Sequence, residues 1–181
     1  MVYLLLGTGF EEMEAVTPCD LLRRAGIEVK LIGVDGLQIT GGHGITFLCD
    51  GTLEDVDLSA GEMILLPGGT GGVASIRSSE KALSLIQDFH REKKYVAAIC
   101  AAPTILAQLH ITDGCLATCY PGLENEMGQA VMVPETESVQ DGRIITGTSA
   151  GCAIDFALQL ITVLKGRDAA DAVADAIVYR R

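Results

Sequence analysis

The sequence predicts an α/β fold, a doubly wound and mostly parallel sheet with helices on both faces, on three observations. Short apolar runs (Val2 to Gly7, Ile27 to Val34, Glu62 to Leu66, Val96 to Ile99) stop abruptly at turn residues, as strands buried on both faces do. Between them lie stretches of helical periodicity, so strand and helix alternate and right-handed crossovers follow. A chain of 181 residues, 49% hydrophobic and 20% charged, is enough for one compact domain over residues 1–181.

Each element has its own warrant. Val2 to Gly7 is the first strand. Phe10 to Ala25 follows as a helix, acidic in its first turn (Glu11, Glu12, Glu14) and basic in its last (Arg23, Arg24), with Gly26 as C-cap. Pro18 within it is expected to kink or split the helix. Ile27 to Val34 is a β-branched strand closed by Asp35-Gly36. Leu37 to Cys49 alternates in short segments around Gly41-Gly42-His43-Gly44, which suggests a small antiparallel excursion. Asp50-Gly51 closes it, and Leu53-Glu54-Asp55-Val56 suits a helical turn.

Glu62 to Leu66 is a buried strand that stops at Pro67-Gly68-Gly69. Ser79 to Arg91 carries Ala82, Leu85, Ile86 and Phe89 on one helical face. Gly114 to Thr118 reads as a strand and Pro121 to Gly128 as a polar loop or short helix. Val131 to Val139 and Arg143 to Ile145 pair as a hairpin across Asp141-Gly142. Ala150 to Lys165 is an apolar helix ended by Gly166, and Asp168 starts a last, alanine-rich one.

Charge and composition exclude several function classes. A net charge of −11 without a basic block argues against nucleic acid and anionic membranes. No apolar run reaches the length of a membrane span, and the first residues lack the form of a signal peptide. The six cysteines (Cys19, Cys49, Cys100, Cys115, Cys119, Cys152) are therefore expected as reduced thiols in a cytoplasm. No Cys/His cluster has zinc spacing, no Gly-Lys-Ser/Thr follows a glycine loop, and dinucleotide-type glycine spacing is absent. No metal or cofactor is implied.

In a doubly wound sheet, sites gather outside the carboxyl ends of the strands. The run ending at Ile99 gives Cys100-Ala101-Ala102-Pro103, a strand, tight turn and helix start. Small Ala101 and Ala102 permit the reversal, and Pro103 needs no amide hydrogen in a first turn. This is the cysteine counterpart of a nucleophile elbow. A thiol there sits at the positive end of a helix dipole, which favours thiolate. The competing reading is a buried structural cysteine in a packed core.

The loop Pro67 to Gly72 lets backbone amides converge, which suits an oxyanion; alternatively it is a tight turn that needs glycine. Of the three glutamates, at least two are expected as solvated helix-start charges. Glu14, three residues from Glu11, can instead point at the site, where a buried carboxyl beside sulfur has a raised pKa and can move a proton. His90 and His110 are expected exposed or capping and His43 at a surface, so Cys100 has no evident histidine partner.

Glu11-Glu12-Met13-Glu14 with Pro18, Leu22 to Ile27, Leu66-Pro67-Gly68-Gly69 and Ala97 to Pro103 together resemble the ThiJ/PfpI superfamily. The resemblance runs over nearly the whole chain, including Asp155-Phe156-Ala157, and is nearest to the branch of a human parkinsonism-associated deglycase and its bacterial relatives. It implies a flavodoxin-like sandwich, a homodimer, Cys100 as an oxidisable nucleophile, and Glu14 as a protonated carboxyl bonded to it. The amides of Gly69 and Ala101, in the Gly68-Gly69 and elbow positions, would form the oxyanion site.

The implied activity is cofactor-independent conversion of methylglyoxal or glyoxal to hydroxy acids, or deglycation of their adducts, through a hemithioacetal on Cys100. The alternative is a redox-responsive sensor or chaperone in which Cys100 is oxidised to sulfinic acid without turnover. The chain departs from the pattern twice. Cys119-Tyr120-Pro121 stands where some relatives have Thr-His-Pro, leaving Tyr120 to orient substrate and Cys119 as a candidate resolving thiol. Gly147 to Gly151 stands where relatives have Ser-Arg-Gly-Pro-Gly. Ala101 in place of a histidine argues against a peptidase, and the lack of any histidine after His110 argues against a glutamine amidotransferase.

Overall fold

The computed structural model describes residues 1–55 and 59–180. In chain order the strands and helices begin with β1 (Val2–Leu6), α1 (Glu12–Arg24), β2 (Val29–Gly33), β3 (Gln38–Thr40), β4 (Thr46–Leu48), β5 (Gly51–Thr52) and β6 (Met63–Leu66). They continue with α2 (Thr70–Ser78), α3 (Glu80–Arg91), β7 (Tyr95–Ile99), α4 (Pro103–Gln108), β8 (Leu116–Ala117) and β9 (Val131–Met132). The last are β10 (Ser138–Asp141), β11 (Ile144–Gly147), α5 (Ala153–Lys165) and α6 (Arg167–Ala176).

Seven strands form one sheet in the order β10-β11-β7-β6-β1-β2-β5, parallel throughout except for β10 against β11. Side-chain alternation along the central strands divides the core into two layers. Val2, Leu4 and Leu6 of β1, with Ala97 and Ile99 of β7, pack under α1, α5 and α6, where Leu22, Phe156 and Val173 meet them. Tyr3, Leu5, Val96 and Ala98 face the other way, toward Ile76, Ile86, Phe89 and Ile105 of α2, α3 and α4. Because both faces are covered, each central strand is apolar at every position, and the short apolar runs of the sequence are these strands. β3 and β4 form the expected antiparallel excursion.

Four local expectations change. Helix α1 runs unbroken through Pro18, whose ring is buried. The proline removes one helical bond, and packing of the helix against α5 and the sheet outweighs that loss. Thr70 to Ser78 is a helix, so the glycine loop ends at Gly69. Gly71 and Gly72 disguise it, since glycine is a poor helix former. Residues 131–139 are not one strand: β9 pairs in parallel with β8 in a separate sheet, and the hairpin is β10 with β11. The intervening chain turns at Pro134 and at Glu135, where φ is +55°. The strand expected over Gly114 to Thr118 shrinks to the two residues of β8. Leu53 to Asp55 form a turn, and Val56, the end of the helical turn expected there, lies outside the described residues. Among the described residues no helix is long and apolar enough to cross a membrane.

Candidate active site

At the carboxyl edge of the sheet, β7 delivers Cys100 into a sharp reversal. Its φ is +66°, a left-handed conformation that costs a β-carbon residue on the order of 1–3 kcal/mol. The surroundings hold it there. The Cys100 amide donates to the carbonyl of Gly147 at 2.9 Å, and its own carbonyl accepts from the Tyr120 amide at 2.7 Å. The elbow expected from the sequence is present, with Pro103 in the first turn of α4.

Glu14, in the first turn of α1, is wholly buried. Its Oε2 accepts the Gly68 amide at 2.8 Å. Its Oε1 has no hydrogen-bond partner among the described residues, and the Cys100 side chain and the Ala150 amide are the further groups that act on its charge. Gly68 sits between acid and thiol: a Cβ there would lie 2.7 Å from Glu14 Oε2 and 2.8 Å from Cys100 Cβ. Only glycine lets the loop pass through this gap. The Gly68 amide is therefore committed to Glu14 and not open to an oxyanion. The amides of Gly69, at φ +84°, and of Ala101 point at the Cys100 sulfur.

Two of the three clustered glutamates are buried, contrary to the solvated reading. Glu12 is buried because the β3–β4 hairpin folds over it: Oε1 accepts the His43 amide at 2.7 Å, and Oε2 meets His43 Nδ1 at 2.9 Å. His43 itself is 71% exposed, as expected, yet its ring is held by this carboxylate. The donor atoms of Glu11, Glu12 and His43 lie within 4.8 Å of one another, but both oxygens of Glu12 are already taken by His43. His110 pairs with Asp113 at the surface.

The electrostatics differ from the expectation of a free thiolate. Burial, then the neighbouring charge of Glu14, push the Cys100 thiol up to about 12, against the pull of the Ala101 and Gly69 amides. Burial likewise pushes the Glu14 carboxyl up to about 7, opposed by Cys100 and by the Gly68 and Ala150 amides. The helix start alone would favour thiolate, but α4 has only six residues and the sulfur is half-buried. Near neutrality the sulfur therefore keeps its proton, and whatever negative charge the pair carries sits on the carboxyl.

Tyr120 reaches the elbow through its backbone amide, and the residue as a whole is 49% exposed. Cys119 is buried among Ala107, Ala117 and Met127, and burial pushes its thiol up to about 11. Gly147 and Ala150 belong to the segment that stands where relatives have Ser-Arg-Gly-Pro-Gly, although neither was named as a site residue. Their signal was available, since β11 ends beside β7 at the same carboxyl edge.

The chain is also similar to known proteins in sequence and fold. The sequence profile of the DJ-1/PfpI family matches residues 1–163. The Parkinson disease protein 7 homolog of Danio rerio is 33% identical over 181 residues, covering 98% of this chain and 96% of that one. The protein named Deglycase PH1704 of Pyrococcus horikoshii is 30% identical over 165 residues, covering 91% of this chain and 99% of its own. The crystal structure of Drosophila melanogaster DJ-1beta superposes with a TM-score of 0.95 at 31% identity, covering 99% of this chain and 98% of that one.

Proposed function

The chain belongs to the DJ-1/PfpI family, and from that premise we propose that it is a cofactor-independent cysteine enzyme acting on small reactive aldehydes. The observation that carries this reading is the convergence on Gly68 of a buried carboxyl, a half-buried thiol and two amides aimed at the sulfur. A similar relative is named a deglycase, which agrees with it.

The residues define the steps for an α-oxoaldehyde. Cys100 sulfur bonds the aldehyde carbon as Glu14 takes the thiol proton. The amides of Gly69 and Ala101 hold the resulting oxyanion, which then takes the proton from Glu14 to give a hemithioacetal. Glu14 next removes the proton from that carbon and returns it to the neighbouring carbonyl carbon. The hydroxyl proton of the first carbon passes to the oxygen of the second, so the first carbon is oxidised and the second reduced, leaving a thioester of the hydroxy acid. Water cleaves the thioester and restores the thiol. Tyr120, at the rim, orients the substrate through its ring. An aldehyde panel assayed on wild type and Cys100→Ser tests the substrate class, and wild type that turns over none of them removes the reading.

A second reading is favoured by the same amides, which suit sulfinate oxygens as well as an alkoxide. Cys100 is then a redox-responsive thiol that turns nothing over. Peptide mass spectrometry after mild peroxide should show oxygen added first at Cys100; earlier oxidation of Cys19 or Cys49 removes that alternative. A homodimer belongs to the same proposal. The exposed apolar residues Met13, Val16, Ile45 and Leu48 on α1 and the hairpin are the surface it would cover. A solution mass of one chain would remove it.

A further inference from the structure

Behind the elbow a hydrogen-bonded chain runs from α2 to the residue that follows the nucleophile. Thr104, 2% exposed in the first turn of α4, has its hydroxyl 2.6 Å from the carbonyl oxygen of Ala101. The same hydroxyl lies 2.7 Å from Nη2 of Arg77 on α2. A guanidinium only donates, so Thr104 accepts from Arg77, and its single hydrogen goes to the Ala101 carbonyl. The direction of the chain is thereby fixed, and each bond polarises the next. Arg77 Nη2 also lies 3.5 Å from Glu126, while its Nε is buried without a partner among the described residues. Arg77, Thr104 and Ala101 line one groove of about 510 Å³ that opens beside the elbow.

A threonine early in a helix often bonds back to the carbonyl three residues earlier. The added feature is a cation from a different helix feeding that bond. We infer that Arg77 and Thr104 are positioning residues, which hold the Ala101 amide on the Cys100 sulfur by fixing the Ala101 carbonyl. The peptide before Ala101 is already pinned, since its carbonyl, that of Cys100, accepts from the Tyr120 amide at 2.7 Å. The Thr104 hydroxyl pins the peptide after it. With both planes fixed, the Ala101 N–H cannot swing away from the sulfur. The inference rests on Cys100 being the nucleophile, and it does not depend on which aldehyde is used.

The test is the rate of Cys100 alkylation by iodoacetamide against pH, followed by peptide mass spectrometry so that the other thiols do not interfere. Thr104→Val removes the hydroxyl and keeps the shape; Thr104→Ser keeps the hydroxyl. Arg77→Met, at a partly exposed position, removes the donor without emptying the core. Thr104→Val and Arg77→Met should slow Cys100 alkylation by up to about tenfold at fixed pH and move the profile to higher pH by up to about one unit, the size expected for one lost hydrogen bond. Thr104→Ser should restore the wild-type profile. Wild-type profiles in both folded Thr104→Val and Arg77→Met overturn the inference, as does a Thr104→Ser profile like that of Thr104→Val. Because no aldehyde is present, failure of the aldehyde chemistry leaves this result intact. Wild-type profiles alongside normal aldehyde turnover would overturn only the positioning role.

Discussion

Glu14 accepts the amide hydrogen of Gly68 at 2.8 Å, a wholly buried bond between residues 54 apart in the chain. It ties the first turn of α1 to the loop after β6 and fixes the carboxyl against Cys100. The bond explains how an acidic residue is carried into the core at all: burial raises the cost of its charge, and the amide and the neighbouring thiol return part of it.

Removing that charge should separate sulfur reactivity from turnover. The carboxylate raises the thiol of Cys100 both by its charge and by accepting its hydrogen. Glu14→Gln should therefore alkylate faster at Cys100 than wild type at neutral pH, while losing aldehyde conversion for want of a proton carrier. Alkylation and turnover measured on one preparation check both halves.

The same carboxyl sets a pH window for stability. Its folded pKa is raised from 4.5 to about 7, so the folded state binds the extra proton between those values. That contribution is fully present below pH 4.5 and is lost as pH rises through about 7. Denaturant unfolding from pH 4 to 8 should show wild type losing on the order of 3 kcal/mol relative to Glu14→Gln across this range. A pH-independent difference between the two would contradict the buried carboxyl.

Gly68→Ala places a methyl 2.7 Å from Glu14 Oε2 and 2.8 Å from Cys100 Cβ. Overpacking of this kind costs about 1–3 kcal/mol. The variant should melt lower than wild type and lose turnover more completely than its stability loss explains, since the two groups are pushed apart. Wild-type turnover in Gly68→Ala would show that the gap is not needed.

Glu12 and His43 should contribute unequally. Glu12→Ala strips a buried acceptor from the His43 amide and ring, and from the Ile45 amide at 3.4 Å. It should cost about 1–3 kcal/mol and loosen the β3–β4 hairpin, visible as faster amide exchange at Gly41 to Ile45. His43→Ala removes only an exposed ring and should cost less than about 1 kcal/mol.

How legible the site was depended on how local its causes were. The strands β1 and β7 and the elbow at Cys100 could be read because continuous apolar runs and a small-residue turn are local signals. Glu14 was chosen over its neighbours by position, but the burial of Glu12 could not be read, because a hairpin tip 31 residues away creates it. The thiol's direction of shift was missed for the same reason: a helix start favours thiolate locally, and only the assembled layers supply the burial that wins. Helix α2 was hidden by Gly71 and Gly72, which are small because the loop of Gly9 passes against them. Arg77 had no sequence signal, since its partner Thr104 sits on a different helix.

The central claim is that Cys100 and Glu14 act together on an aldehyde. Its most direct test is hydroxy-acid formation from methylglyoxal, quantified by NMR for wild type, Cys100→Ser and Glu14→Gln in parallel. Many equivalents of lactate per chain from wild type, and none from either variant, is the result expected. Equal lactate from wild type and Cys100→Ser, or none beyond one equivalent from wild type, would contradict it.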